Sequence, residues 1–166
     1  MTSYLDRAFR FLCGAQAGAQ LFFTIAATQV IFSSEIAALP HEDPRRTLAA
    51  DQVGQLLARV DTMTIIVSFV TFCVAWSIAN QKRVSLRRAL PPLLAGLCAI
   101  TSIFGTTPAI HALRATNRTG ELRFGLIHAL SRTLLILEML LFAWAALRKD
   151  PDTEAPPALD ATPPAR

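Results

Sequence analysis

The stretch 124–147 constrains the fold of this chain more than any other. It reads FGLIHALSRTLLILEMLLFAWAAL and contains three ionisable residues, His128, Arg132 and Glu138. As a helix it is long enough to cross the roughly 30 Å hydrocarbon core of a bilayer. Ionisable groups at that depth are costly unless they face the interior of a bundle and find partners or water there. The stretch therefore predicts a membrane-spanning helix that carries a functional site.

Three further apolar stretches predict spans at about 11–36, 61–80 and 90–113. A soluble helical bundle is the less consistent alternative, because its helices would show a continuous polar face. Between the first two spans, apolar residues repeat at helical spacing from Ala49 to Val60. That pattern predicts an amphipathic segment, lying on the membrane surface or running straight into the second span. The predicted fold class is an all-α integral membrane four-helix bundle with this additional amphipathic helical segment.

The two ends of the chain differ in character. Residues 1–149 are predicted to form one transmembrane domain. Residues 150–166 contain five prolines and almost no bulky apolar group. Such a segment buries too little surface to offset the entropy of ordering, so we predict a disordered tail.

Charge and cysteine content narrow the class of protein. The net charge of +4 comes from bases that flank the spans, so topology explains it better than nucleic-acid binding does. Eight of these bases fall on the side of the chain ends and six on the other side. The excess predicts cytoplasmic N- and C-termini in a plasma or bacterial inner membrane. The three cysteines form no CxxC pair and are interpreted as packing residues.

Helical geometry gathers the polar residues of the last span onto one face. At 100° per residue, His128, Ser131, Arg132 and Glu138 share a stripe that must look into the bundle. Polar residues of the other spans that lie at similar depths in the bilayer should face this stripe. We therefore predict a polar vestibule that opens away from the cytoplasm, with Gln20 and Glu138 as its floor. The candidate ligand-binding residues are Gln20, Asp61, Thr106, Thr107, His111, His128, Ser131, Arg132 and Glu138.

Three interpretations of this polar face remain open. It could be a structural network that fixes helix register, or a site that binds or helps to move a small solute or ion. It could also hold haem or copper on His111 and His128, since imidazole is a common ligand of both. The two histidines lack the i, i+4 spacing of a metal pair. A protease or hydrolase is less consistent still, because no acidic residue on the same helix could orient His128 as a general base for Ser131. We therefore expect a non-enzymatic protein without a cofactor. Its expected partners are the bilayer and, since four helices are few to enclose a pore, further copies of itself.

Several short motifs carry a resemblance to a known family. The motif Phe104-Gly105-Thr106-Thr107-Pro108 and the motif His128-Ala129-Leu130-Ser131 are similar to those of the transmembrane protein 205-like family, domain of unknown function 4149. Further similarity lies at Gly18-Ala19-Gln20 and Val53-Gly54-Gln55, so that the resemblance covers about residues 14–147. It implies an integral membrane protein of four helices without an assigned enzymatic activity. The chain departs from some members at Leu135, where they have asparagine.

Overall fold

The computed structural model describes residues 2–40, 43–82, 86–116 and 118–148 of the chain. Within these ranges it contains five helices, here called α1 to α5. Three of them are α-helical throughout: α2, Ser34–Ala38; α3, Pro44–Lys82; and α5, Leu122–Leu147. Helix α1 covers residues 2–31 and is α-helical over Thr2–Phe22, π-helical over Phe23–Ala27 and α-helical again over Thr28–Ile31. Helix α4 covers residues 86–115 and is a 3₁₀ helix over Leu86–Ala89, α-helical over Leu90–Thr101, π-helical over Ser102–Thr106 and α-helical over Thr107–Ala115.

Four of these helices, α1, α3, α4 and α5, are long and apolar enough to cross a membrane. The all-α four-helix prediction is confirmed, and the chain is a multi-pass membrane protein. The predicted disordered tail, residues 150–166, lies outside the described residues.

Two boundaries differ from the predicted ones. Helix α1 begins at Thr2 rather than near residue 11, and the ion pair between Asp6 and Arg10 supports its added first turns. It ends at Ile31 rather than near residue 36. Phe32 leaves the helical conformation there, and the Ser33 hydroxyl caps α2 by accepting a hydrogen bond from the Ile36 N–H.

The amphipathic segment runs straight into the second span, so that both form the single helix α3.

The four spans close into a ring in chain order. Helix α1 packs against α3 and α5, and α4 packs against the same two helices. Since successive spans run in opposite directions, the two ends of residues 2–148 lie at one end of the bundle. There the Arg88 guanidinium pairs with Asp6 at 2.7 Å and covers the Phe9 ring at 4.4 Å from its centroid.

Small residues fill much of the interface between helices, as lipid-embedded bundles require for close backbone approach. The closest approach that a glycine permits is between α4 and α3. A Cβ atom at Gly96 would lie 2.9 Å from the Ser68 Cβ atom. The Gly14 and Gly18 pair of α1 is less tight, since a Cβ at Gly14 would lie 3.8 Å from the Ala146 Cβ and one at Gly18 would meet nothing within 4 Å.

We expect Gly96→Ala to lower the free energy of unfolding by about 1–3 kcal/mol, because the added methyl group overpacks the contact between α4 and α3. Reversible denaturation in detergent measures this change. Gly125→Ala on α5 is the matched control, since its Cβ would have no neighbour within 4 Å. Equal stabilities of the two variants would contradict the tight approach.

Candidate functional site

A cavity of about 520 Å³ lies between α1, α3, α4 and α5, in the half of the bundle away from the ends of the chain. Most of its wall is apolar. Helix α1 contributes the hydroxyls of Thr24 and Thr28. The other polar side chains come from the end of α4 and the first half of α5, and we call this second group the cationic pocket. They are Thr107, His111, Arg114, His128, Ser131 and Arg132.

The predicted candidates divide into two groups. Five of them, Thr107, His111, His128, Ser131 and Arg132, line this one cavity. The other four, Gln20, Asp61, Thr106 and Glu138, are buried and are not part of its lining. They lie deeper along their helices, where they contact neighbouring protein groups. Gln20 and Glu138, the predicted floor, are thus buried beyond the lining of the cavity, and the single vestibule stays a prediction.

Two π-helical turns border the cavity. Phe23 and Thr24 line it from the π-helical turn of α1, and Thr107 directly follows that of α4. The Thr24 hydroxyl donates to the Gln20 carbonyl oxygen at 2.8 Å, and the Thr106 hydroxyl donates to the Ser102 carbonyl oxygen at 3.4 Å. Side-chain hydroxyls therefore support the widened backbone. Such turns are frequent at functional sites, because they change the direction of side chains within a helix.

Arg114 belongs to the pocket although the sequence analysis did not select it. Its Nη1 donates to the Ala50 carbonyl oxygen at 3.2 Å and lies 3.6 Å from the Asp51 carboxylate. These contacts hold the end of α4 against the first turns of α3. The signal that could have found it is its position one turn after His111, on the same helical face.

Arg132 has no hydrogen bond or ion pair to any residue that the structure describes, although it lines the cavity. One turn earlier, the His128 ring stacks on Phe124 with centroids 5.9 Å apart and planes inclined by 5°. Across the cavity, the His111 ring lies beside Gly54, where a Cβ atom would meet it at 3.7 Å. The Thr107 hydroxyl is buried and also lacks a partner among the described residues. The pocket thus contains a guanidinium and, behind its surface, a buried hydroxyl, neither with a partner among the described residues.

The second group is centred on Glu138 and forms what we call the carboxylate cluster: Gln16, Gln20, Asp61, Thr64, Ser102 and Glu138. The Gln20 amide nitrogen donates to Glu138 Oε2 at 2.8 Å and to Thr64 Oγ1 at 3.0 Å. The Gln16 amide nitrogen donates to Thr64 Oγ1 at 2.8 Å. Gln20, Thr64 and Glu138 are each 0% exposed. The cluster therefore ties α1 to α3 and to α5 in the interior of the bundle.

The chain matches no family model, no curated protein and no solved structure. The resemblance to the transmembrane protein 205-like family stays a prediction, as does the haem or copper hypothesis for His111 and His128.

We expect single cysteines at His111 and His128 to react with a membrane-impermeant thiol reagent added on the side opposite the chain ends, because both positions are exposed and line the open cavity. The background variant lacks Cys13, Cys73 and Cys98. A cysteine at Thr64 is the control and should react only after denaturation, since Thr64 is 0% exposed. Labelling is measured by mass shift. Protection of both pocket positions would contradict a water-accessible cavity.

Proposed function

We propose that this membrane protein binds a small amphipathic anion in the cationic pocket, as a binding or transport component rather than an enzyme. The single observation that carries the proposal is Arg132, an exposed residue that lines a largely apolar cavity and has no partner for its guanidinium among the described residues. A cation at membrane depth is costly unless something of opposite charge or water meets it.

The chemistry of the polar side chains favours a carboxylate or a phosphate. A guanidinium presents a planar fork of donors that matches the two oxygens of such groups. Arg114 also lines the cavity and adds positive charge, although Asp51 partly offsets it.

The rest of the cavity wall is apolar, which favours a ligand that is apolar apart from its anionic group. Phe23, Phe32, Leu57 and Ile136 contribute to the lining. A volume of about 520 Å³ falls within the range of pockets for small molecules, roughly 300–1,000 Å³. An anionic head group beside Arg132 with a short alkyl chain or ring along these side chains would fill it.

The proposal includes an orientation. With cytoplasmic chain ends, as the bases flanking the spans favour, the pocket opens toward the opposite side of the membrane. It would then take its ligand from outside the cytoplasm or from the outer leaflet. The proposed membership in the transmembrane protein 205-like family agrees with such a role, since that resemblance implies four spans and no assigned enzymatic activity.

Binding of radiolabelled octanoate and octyl phosphate to the full chain in lipid nanodiscs tests the proposal. We expect saturable binding that weakens about tenfold or more in Arg132→Gln, because charge-assisted hydrogen bonds to a charged group are worth roughly 1.5–3 kcal/mol. Arg59→Gln is the matched control, since Arg59 is exposed on α3 and does not line the cavity. Unchanged affinity in Arg132→Gln, or equal binding of uncharged octanol, would refute the proposal.

The haem or copper alternative has one observation in its favour, which is that His111 and His128 line the same cavity. It predicts a Soret band or stoichiometric copper in the purified protein, lost in His111→Ala. The anion proposal predicts neither signal.

A further inference from the structure

Asp61 and Glu138 are two carboxyl groups buried between the same helices. Asp61 is 1% exposed and Glu138 is 0% exposed. Asp61 lies one helical turn before Thr64 on α3, and the Gln20 amide nitrogen donates to both Thr64 and Glu138, so that the two carboxyl groups belong to one cluster. Neither forms an ion pair with any arginine or lysine in the part of the chain that the structure describes. Two carboxyl groups without a counter-ion are among the most costly arrangements inside a membrane.

The polar side chains next to the two carboxyl groups are neutral and cannot balance their charge. The Gln20 amide nitrogen donates to Glu138, but its own Oε1 atom has no partner and the residue is 0% exposed. Ser102, which is 2% exposed, neighbours Asp61, and its hydroxyl lacks a partner as well. With both oxygens of Asp61 and the Oε1 atom of Glu138, five buried oxygen atoms of the cluster have no partner among the described residues.

We propose that the carboxylate cluster binds one small monovalent cation: either Na⁺ beside Asp61 and Glu138, with Gln20 Oε1 and Ser102 Oγ as neutral oxygen ligands, or a proton bonded to one of the two carboxyl groups. Carboxylate, amide and hydroxyl oxygens are the ligands that hard cations take in proteins. Ca²⁺ usually takes six to eight oxygens, and the five unpaired atoms here suit a smaller coordination number.

The site is independent of the cationic pocket in its ligand and its residues, and it lies deeper in the bundle. Among the described residues, the titratable groups near Glu138 are Asp61 on α3 and Cys98 on α4. Helix α1 contributes only the neutral amides of Gln16 and Gln20 there. Acidification therefore acts on this site through the two carboxyl groups themselves.

Thermal unfolding of the full chain in nanodiscs tests the proposal, with NaCl compared with choline chloride at equal ionic strength. We expect Na⁺ to raise the Tm in a saturable manner, because a ligand of the folded state alone stabilises it by mass action. The shift should vanish in the nearly isosteric variant Asp61→Asn/Glu138→Gln. Glu35→Gln is the control, since Glu35 is an exposed carboxylate on α2 and its variant should respond like the wild type.

A proton gives a different pattern. The Tm then rises on mild acidification in choline chloride and is indifferent to Na⁺, and the infrared carbonyl band of a protonated carboxyl group disappears in Glu138→Gln. If the double variant does not fold, two other measurements test the proposal: equilibrium binding of radioactive Na⁺ to the wild type, and the loss of the infrared band in Glu138→Gln. The proposal is overturned if wild type and variant respond equally to Na⁺ and to pH, if neither Na⁺ binding nor the infrared band is found, or if only Ca²⁺ stabilises the protein. None of these results bears on anion binding at Arg132, which is measured separately.

Discussion

The hydrogen bond from the Gln20 amide to the Glu138 carboxylate is the interaction on which the rest of the structure depends. In lipid, helices gain little from burying apolar surface against each other, and packing and interhelical hydrogen bonds hold them together. This bond joins the first span to the last, and the bonds from Gln16 and Gln20 to Thr64 add the second span. Because all three contacts lie at one depth, they fix the vertical register of the helices and thereby the level at which the cavity opens.

The charged side chains of α5 are sorted by depth. Arg132 faces the cavity, whereas Glu138 lies further along the helix in the buried cluster. Six residues of helix separate them by about 9 Å along the axis, so they do not neutralise each other by direct contact. The cationic pocket is consequently left with excess positive charge, and the carboxylate cluster with excess negative charge. This separation of the two signs of charge is the physical basis of both proposals.

The sequence was sufficient for the parts that depend on length, periodicity and depth. Apolar length gave the four spans, and depth matching paired Gln20 with Glu138, which the structure joins by a hydrogen bond. Periodicity placed His128, Ser131 and Arg132 on one face, and all three line the cavity. What it could not give was the rotation of one helix against another. Depth matching places Asp61 beside His111, whereas in the structure Asp61 is buried and does not line the cavity.

The π-helical turns at Phe23–Ala27 and Ser102–Thr106 are a second feature that apolar length does not predict. Each changes the phase of the helix that follows, so a constant 100° per residue does not predict which side chains share a face across these turns. Arg114 was counted only as a base outside a span, because its contacts with Ala50 and Asp51 join residues far apart in the chain.

The measurement that tests the central claim most directly is a double-mutant cycle on Gln20→Leu and Glu138→Met, read from reversible unfolding of the full chain. The account predicts a coupling free energy of about 1–2 kcal/mol, as expected for a buried hydrogen bond to a carboxyl group between membrane helices. Additivity of the two changes within roughly 0.3–0.5 kcal/mol would mean that the two side chains do not interact, and it would contradict the account.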